Sequence, residues 1–391
     1  MTMPSVTIPR NDLLAALGRT SFQAGKLATH ALGCVWITAT GGGLTLAATD
    51  GTLDASCRIL APGKPVTPFA CGVPAGQFRK LVERLPDAPV TLALDVSGDK
   101  LRVKCGRSNS GIPVRDVADR PTVEMPPDTL HAVPKGRLAA AIARVAFAAG
   151  DEELEQVRFT PPADDVGGLS IEAVSQNAYA RDRLFRPEGG TWPGIVPEAF
   201  GVDPARISGT VKWLETATRM AVTEKRVFFA DDLGWWSLPV RRGIWTDAGN
   251  AMVSKLSMPD VTHIDIAVSE LACVCDRLGI VLPEKSRAVL LDASPGGITF
   301  TADGGQGVEI ADGARLVSGK PVKVVIPAQD FGALASRVPG ERLRLTLTGW
   351  DGPMGFQALT DAGDPDPSWL GVIMPLMAPT PTQFSEWEDA A

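Results

Sequence analysis

The chain has 391 residues, 45% of them hydrophobic and 21% charged, with a formal net charge of −7. That length is too great for one compact core and suits two to four domains, and the apolar share excludes a chain without a fold. The longest apolar runs, such as residues 138–149, fall short of a membrane span, and the N-terminus carries no basic leader before an apolar stretch, so a cytoplasmic protein with no membrane partner is expected.

In chain order, the first predicted helix covers 10–20 and follows Ile8-Pro-Arg-Asn-Asp-Leu-Leu. Two alternating strands come next, 35–38 and 44–48, joined at Gly41-Gly-Gly43. This glycine triplet lacks a following Gly-Lys-Ser/Thr and opens no helix, so it reads as a hairpin turn and not as a phosphate loop. Then comes Val73-Pro-Ala-Gly-Gln-Phe-Arg-Lys-Leu-Val-Glu-Arg-Leu-Pro86: a strand end, a proline at the helix start, and a short amphipathic helix (76–85) stopped by proline. Strands are predicted at 90–94 and 101–104. After a joint at Pro126-Pro127 the same pattern returns in weaker form at Val133-Pro-Lys-Gly-Arg-Leu (helix 134–149) and Val202-Asp-Pro-Ala-Arg-Ile (helix 203–220). A second joint lies at Met258-Pro259. Beyond it Ile266-Ala-Val-Ser-Glu-Leu starts helix 269–278, and Ile326-Pro-Ala-Gln-Asp-Phe-Gly-Ala-Leu-Ala-Ser-Arg-Val-Pro339 repeats the 73–86 segment (helix 327–338), with strands at 343–347 and 355–359.

The chain therefore reads as six helix-plus-antiparallel-meander units in three pairs, which is an α+β architecture. The expected domains are 1–126, 127–257 and 258–377, followed by an acidic Pro/Thr-rich tail, 378–391, expected to be disordered.

Charge is segregated between these elements. The six predicted helices hold 13 basic and 7 acidic residues, whereas the remainder holds 25 basic and 38 acidic. Helix 134–149 has an apolar stripe of Leu138, Ile142 and Val145, with Arg137 and Arg144 seven apart beside it. Helix 203–220 repeats the design with Lys212 and Arg219, and helix 76–85 exposes Arg79, Lys80 and Arg84. The third pair of helices is poorly basic.

In Leu46-Ala-Ala-Thr-Asp-Gly51, in Val73-Pro-Ala with Gly106-Arg-Ser108, and in Gly371-Val-Ile-Met-Pro-Leu376, the chain resembles the bacterial DNA sliding clamps, the beta subunit of DNA polymerase III. The order and spacing of these motifs through three repeats carry the resemblance over nearly the whole chain. It implies a non-catalytic processivity factor without cofactor or metal. Three-domain protomers would form a head-to-tail homodimeric ring around double-stranded DNA, with helices at the pore. Pore contacts would come from Lys26, Arg79, Lys80, Arg84, Arg137, Arg144, Lys212 and Arg219, holding phosphates without reading bases. The resemblance also implies a cleft in which short peptides of the replicative polymerase and clamp loader dock. It would be lined by Leu154, Val174, Gln176, Tyr179, Thr246 and Ala251, and by Val372, Met374, Pro375 and Leu376 of the C-terminal segment. The polar rim departs from the family: Val174-Ser-Gln-Asn-Ala-Tyr179 stands where Thr-Asp-Gly-His-Arg-Leu is usual, and Thr246 and Asn250 stand where a proline and arginines are common.

An enzyme finds no support. His30, His131 and His263 lie in different repeats, and Cys34, Cys57, Cys71, Cys105, Cys273 and Cys275 form no metal-spaced set, so free thiols are expected. A clamp-like paralogue or phage-encoded ring that redirects replication partners stays open as the alternative, and the altered rim points that way.

Overall fold

The computed structural model describes residues 4–21, 31–61, 66–150, 156–162, 168–185, 195–243, 245–282, 287–305 and 307–376. Six times a strand runs into a helix and a meander follows. Repeat 1 is β1 (Ser5–Ile8), α1 (Arg10–Thr20), β2 (Cys34–Thr40), β3 (Gly43–Thr49) and β4 (Asp54–Leu60). Repeat 2 is β5 (Phe69–Pro74), α2 (Ala75–Glu83), β6 (Val90–Leu94), β7 (Lys100–Cys105) and β8 (Ser108–Pro113). Repeat 3 is β9 (His131–Ala132), α3 (Arg137–Val145), β10 (Val157–Thr160), β11 (Leu169–Val174) and β12 (Ala178–Leu184). Repeat 4 is β13 (Phe200–Val202), α4 (Pro204–Gly209), α5 (Val211–Leu214), β14 (Arg219–Val222), β15 (Arg226–Ala230) and β16 (Gly234–Pro239). Helix α6 (Ala248–Leu256) stands outside the pattern. Repeat 5 is β17 (Thr262–Ala267), α7 (Val268–Val281), β18 (Ala288–Ser294), β19 (Gly297–Ala302) and β20 (Val308–Ile310), with an added β21 (Arg315–Ser318). Repeat 6 is β22 (Val322–Pro327), α8 (Ala328–Ala335), β23 (Arg342–Leu347), β24 (Met354–Ala358) and β25 (Trp369–Ile373).

The chain divides into two compact units, one of Met1–Gly136 with Lys212–Val240, the other of Arg137–Val211 with Arg241–Ala391. The first holds a four-stranded sheet, β1-β6-β7-β8, and an eight-stranded sheet, β5-β2-β3-β4-β16-β15-β14-β9. Repeats 1 and 2 exchange their leading strands: β1 joins the meander of repeat 2 and β5 that of repeat 1. In α1, Leu13, Ala16, Leu17 and Thr20 are buried, the i, i+3, i+4, i+7 stripe of an amphipathic helix. Leu13, Ala16 and Leu17 meet Phe78 and Val82 of α2 and the inward residues of both sheets in one core. The Gly41-Gly42 turn closes the β2–β3 hairpin, as the sequence predicts. Gly43 follows at φ 137, and a Cβ there would come within 2.1 Å of the Ile59 carbonyl oxygen. Only glycine fits that approach.

The second unit holds a nine-stranded sheet, β13-β10-β11-β12-β25-β24-β23-β17-β21, and a four-stranded one, β20-β19-β18-β22. The leading-strand exchange recurs, with β17 on the meander of repeat 6 and β22 on that of repeat 5. Phe300, Phe331, Phe356 and Trp369 fill its core, and Phe331 meets Phe356 edge-on with centroids 4.7 Å apart.

Two sequence expectations need correction. Residues 203–220 are not one helix. Asp203 caps α4 through Arg206 N, but at Thr210 the hydroxyl turns back to donate to Ile207 O at 2.7 Å, α5 is one turn long, and β14 begins at Arg219. The seven-residue spacing of Lys212 and Arg219 therefore does not put them on one helical face. Helix α6 is absent from the prediction altogether.

Candidate functional site

The helix-borne basic residues divide into exposed and committed side chains. Lys80, Arg84, Arg137 and Lys212 are exposed. Arg79 is exposed too, but its Nε donates to Glu83 Oε1 at 2.7 Å within α2. Arg144 is committed: its Nε meets Asp182 Oδ2 at 2.5 Å, and Asp182 is 2% exposed on β12. Burial pushes the Asp182 carboxyl above the ordinary carboxylate range, with Arg144 opposing the shift. The pair ties α3 to the sheet beneath it. Arg219, on β14, donates to Asp231 O at 2.8 Å and lies 3.6 Å from Asp232, so it braces a hairpin. Lys26 lies outside the described residues. Sequence reasoning missed Arg10, which donates to Val82 O and Glu83 O at the end of α2, and Arg19, paired with Asp231 at 2.7 Å. On α7 the lone Arg277 is held bidentate by Glu309.

The cleft residues from three segments come together in the second unit. β11, β12, β25 and β24 lie side by side, and Val174, Tyr179, Val372 and Gly355 form one cross-strand row. Helix α6 lies over this row. Met252, with Trp245, Ala248, Val253, Leu256 and Met374, packs against Val174, Tyr179, Leu370 and Val372. Gly249 allows the contact: a Cβ there would come within 2.6 Å of the Tyr179 ring. Val174, Tyr179 and Val372 are thus a buried floor rather than the walls of an open groove, at 0%, 3% and 0% exposure. Tyr179 donates to Glu172 Oε1 at 3.3 Å, and burial, then the Glu172 charge, raises its pKa. Thr246, Met374, Pro375 and Leu376 are half-buried and Gln176 and Ala251 exposed; of these Met374 packs against the floor, while Leu376 N donates to Val325 O on β22 at 3.0 Å. Met374 N donates to Asn177 O at 2.8 Å, which seats the C-terminal segment at the β11–β12 turn. Leu154 and the tail 378–391 lie outside the described residues.

All six cysteines are free, five buried and Cys273 exposed. Among the described residues no helix is long and apolar enough to cross a membrane, and no cluster of His, Cys, Asp and Glu could hold a metal ion.

Residues 5–124 match the family described as DNA polymerase III beta subunit, N-terminal domain. The beta sliding clamp of Caulobacter vibrioides (strain NA1000 / CB15N) is 24% identical over 95% of this chain and 99% of its own length. Among solved structures, the Caulobacter crescentus beta sliding clamp is 24% identical, with a TM-score of 0.83 over 96% of this chain and 99% of that one. The Pseudomonas aeruginosa sliding clamp bound to griselimycin is 18% identical, with a TM-score of 0.82 over 96% and 100%.

Proposed function

We propose that this chain, whose residues 5–124 match the family of the DNA polymerase III beta subunit, N-terminal domain, is a processivity factor. Two copies close a ring around duplex DNA and tether a polymerase, without catalysis of their own. The observation that carries the reading is a strand-pairing rule. Number the repeats in pairs as three domains, 1–126, 127–257 and 258–377. The last strand of the first half of domain 1, β4, pairs antiparallel with the last strand of the second half of domain 2, β16. The last strand of the first half of domain 2, β12, pairs in the same way with the last strand of domain 3, β25.

The corresponding strands left over are β20 and β8, and each is the free edge of a four-stranded sheet. Applying the rule once more joins β20 of one copy to β8 of the next, a head-to-tail contact that makes a ring when the rotation closes. Apolar side chains surround the β20 edge: Ile280 is 82% exposed, Val308 50% and Ile310 63%. Such exposure at an unpaired strand edge marks an interface.

Phosphate contacts fall to Lys80, Arg84, Arg137 and Lys212, with Arg79 shared with Glu83. They neutralise charge without reading sequence, so binding is salt-dependent and the ring slides. Polymerase and clamp-loader peptides dock on the rim of Trp245, Thr246, Met374, Pro375 and Leu376, in the cytoplasm. The test is topological. A ring loaded on nicked circular DNA stays bound through a high-salt wash and leaves when the circle is cut. Equal retention on circular and linear DNA would show surface binding and sink the reading.

A further inference from the structure

On the face of the nine-stranded sheet that carries Tyr179, the next cross-strand rows are charged. Arg158, Glu172 and Arg181 stand opposite one another, and Ser170 faces Arg183 one step further along. Side chains two apart on a strand share a face, so three guanidinium groups stand here with one carboxylate. Arg158 lies 4.9 Å over the Trp245 ring, and Glu172 accepts from Ser170 and Tyr179. Arg181 Nε on β12 and, two strands away on β10, Thr160 Oγ1 are buried with no hydrogen-bond partner among the described residues. Buried unsatisfied donors in a basic cluster point to an anionic ligand. Burial, and then the charge of Arg181, lower the pKa of Arg183, a repulsion that an anion relieves.

We propose that the occupant of this face is the chain's own C-terminal segment, 377–391, which docks its acidic and aromatic residues across the three arginines and Trp245 and so competes with partner peptides for the rim. The segment reads Met-Ala-Pro-Thr-Pro-Thr-Gln-Phe-Ser-Glu-Trp-Glu-Asp-Ala-Ala and carries Glu386, Glu388 and Asp389 with Phe384 and Trp387. Its charge complements the face. It also starts in the right place: Leu376 follows β25, whose Ile373 pairs with Ala178 and whose Trp369 pairs with Asp182. Reaching Arg181 and Arg183 means doubling back about 17 Å along the strand, and an extended segment of this length spans about 50 Å. Only the consequence for partner binding rests on the rim assignment above; docking itself is measurable without a polymerase.

The test is a fluorescence-anisotropy titration of a labelled peptide of sequence 377–391 against two full-length chains, the parent and Phe384→Ala/Trp387→Ala. The peptide binds the substituted chain and binds the parent about tenfold more weakly, because a tethered tail competes at an effective concentration in the millimolar range. Replacing Glu386, Glu388 and Asp389 of the peptide by Gln, Gln and Asn weakens it about tenfold and flattens its salt dependence. Arg181→Gln/Arg183→Gln in the tail-substituted chain does the same. No binding to the tail-substituted chain, or binding indifferent to the peptide's charge, overturns the proposal. Equal binding to both chains does so too, since the face would then take a partner's segment. Sedimentation of the same chains reports ring closure separately, so the two readings fail independently.

Discussion

Replacing Val308 and Ile310 by Asp places two charges on the outer face of β20, where Val308 lies opposite Thr301 and Ile310 opposite Thr299. Both side chains are at least half exposed in the isolated chain, at 50% and 63%, so the fold loses nothing from the core. Surface changes of this kind usually shift stability by about 0.5 kcal/mol or less. In the ring the same atoms are covered. Burying a whole Val or Ile side chain contributes about 1.5–3 kcal/mol, so covering the exposed parts of both gives about 2.5 kcal/mol per junction. A two-copy ring has two such junctions, about 5 kcal/mol together, or nearly four decades in Kd. Desolvating the aspartates adds to the loss. Sedimentation velocity over a concentration series, with urea unfolding as control, reads both quantities. A double variant that dimerises as tightly as the parent with unchanged unfolding would refute the β20–β8 junction.

The other predictions concern the helices and the rim. Lys80→Ala, Arg84→Ala, Arg137→Ala and Lys212→Ala together lower the slope of log K against log salt by about one per phosphate contact removed, measured by anisotropy on duplex DNA without loss of thermal stability. Arg144→Ala acts differently: it strands a buried carboxylate and costs about 3 kcal/mol in urea unfolding. Asp182 has a folded pKa above its ordinary 3.8, so the folded state holds the extra proton. The stability of the parent relative to Asp182→Asn therefore rises as pH falls through that raised value towards 3.8 and is flat on either side; a relative loss on acidification would reverse the sign. Gly249→Val drives a side chain into the Tyr179 ring, costs about 1–3 kcal/mol, and weakens peptide binding by displacing α6. Met374→Ala costs partner peptides about 2 kcal/mol by calorimetry while ring formation is kept.

How much of this was legible in the sequence differs by level. The repeat was readable because proline at a helix start and period-2 strands are local signals: 73–86 and 326–339 announce β5–α2 and β22–α8 directly. Repeat 4 misled because its apolar spacing continues past Thr210, while the break comes from a side-chain bond back to Ile207. Helix α6 was invisible because Gly249 and Asn250 are poor helix formers. Its place depends on Gly249 meeting Tyr179, a contact between segments far apart in the chain. The commitment of Arg144 to Asp182, 38 residues on, is equally non-local. Arg181 and Arg183 stand two apart on β12, a strand the sequence reading did not single out, and so share one face. The pairing of β4 with β16 and of β12 with β25, which carries the functional reading, has no counterpart in any local pattern.

The measurement that tests the central claim most directly is release from DNA by cutting. The chain, loaded on a nicked circular plasmid by the clamp loader of its own cell, is passed through a sizing column in high salt. A single restriction cut is then made at a site away from the nick. Encirclement predicts co-elution with the circle and complete release after the cut. Retention on the linear product, or loss from the circle before cutting, would contradict a closed ring.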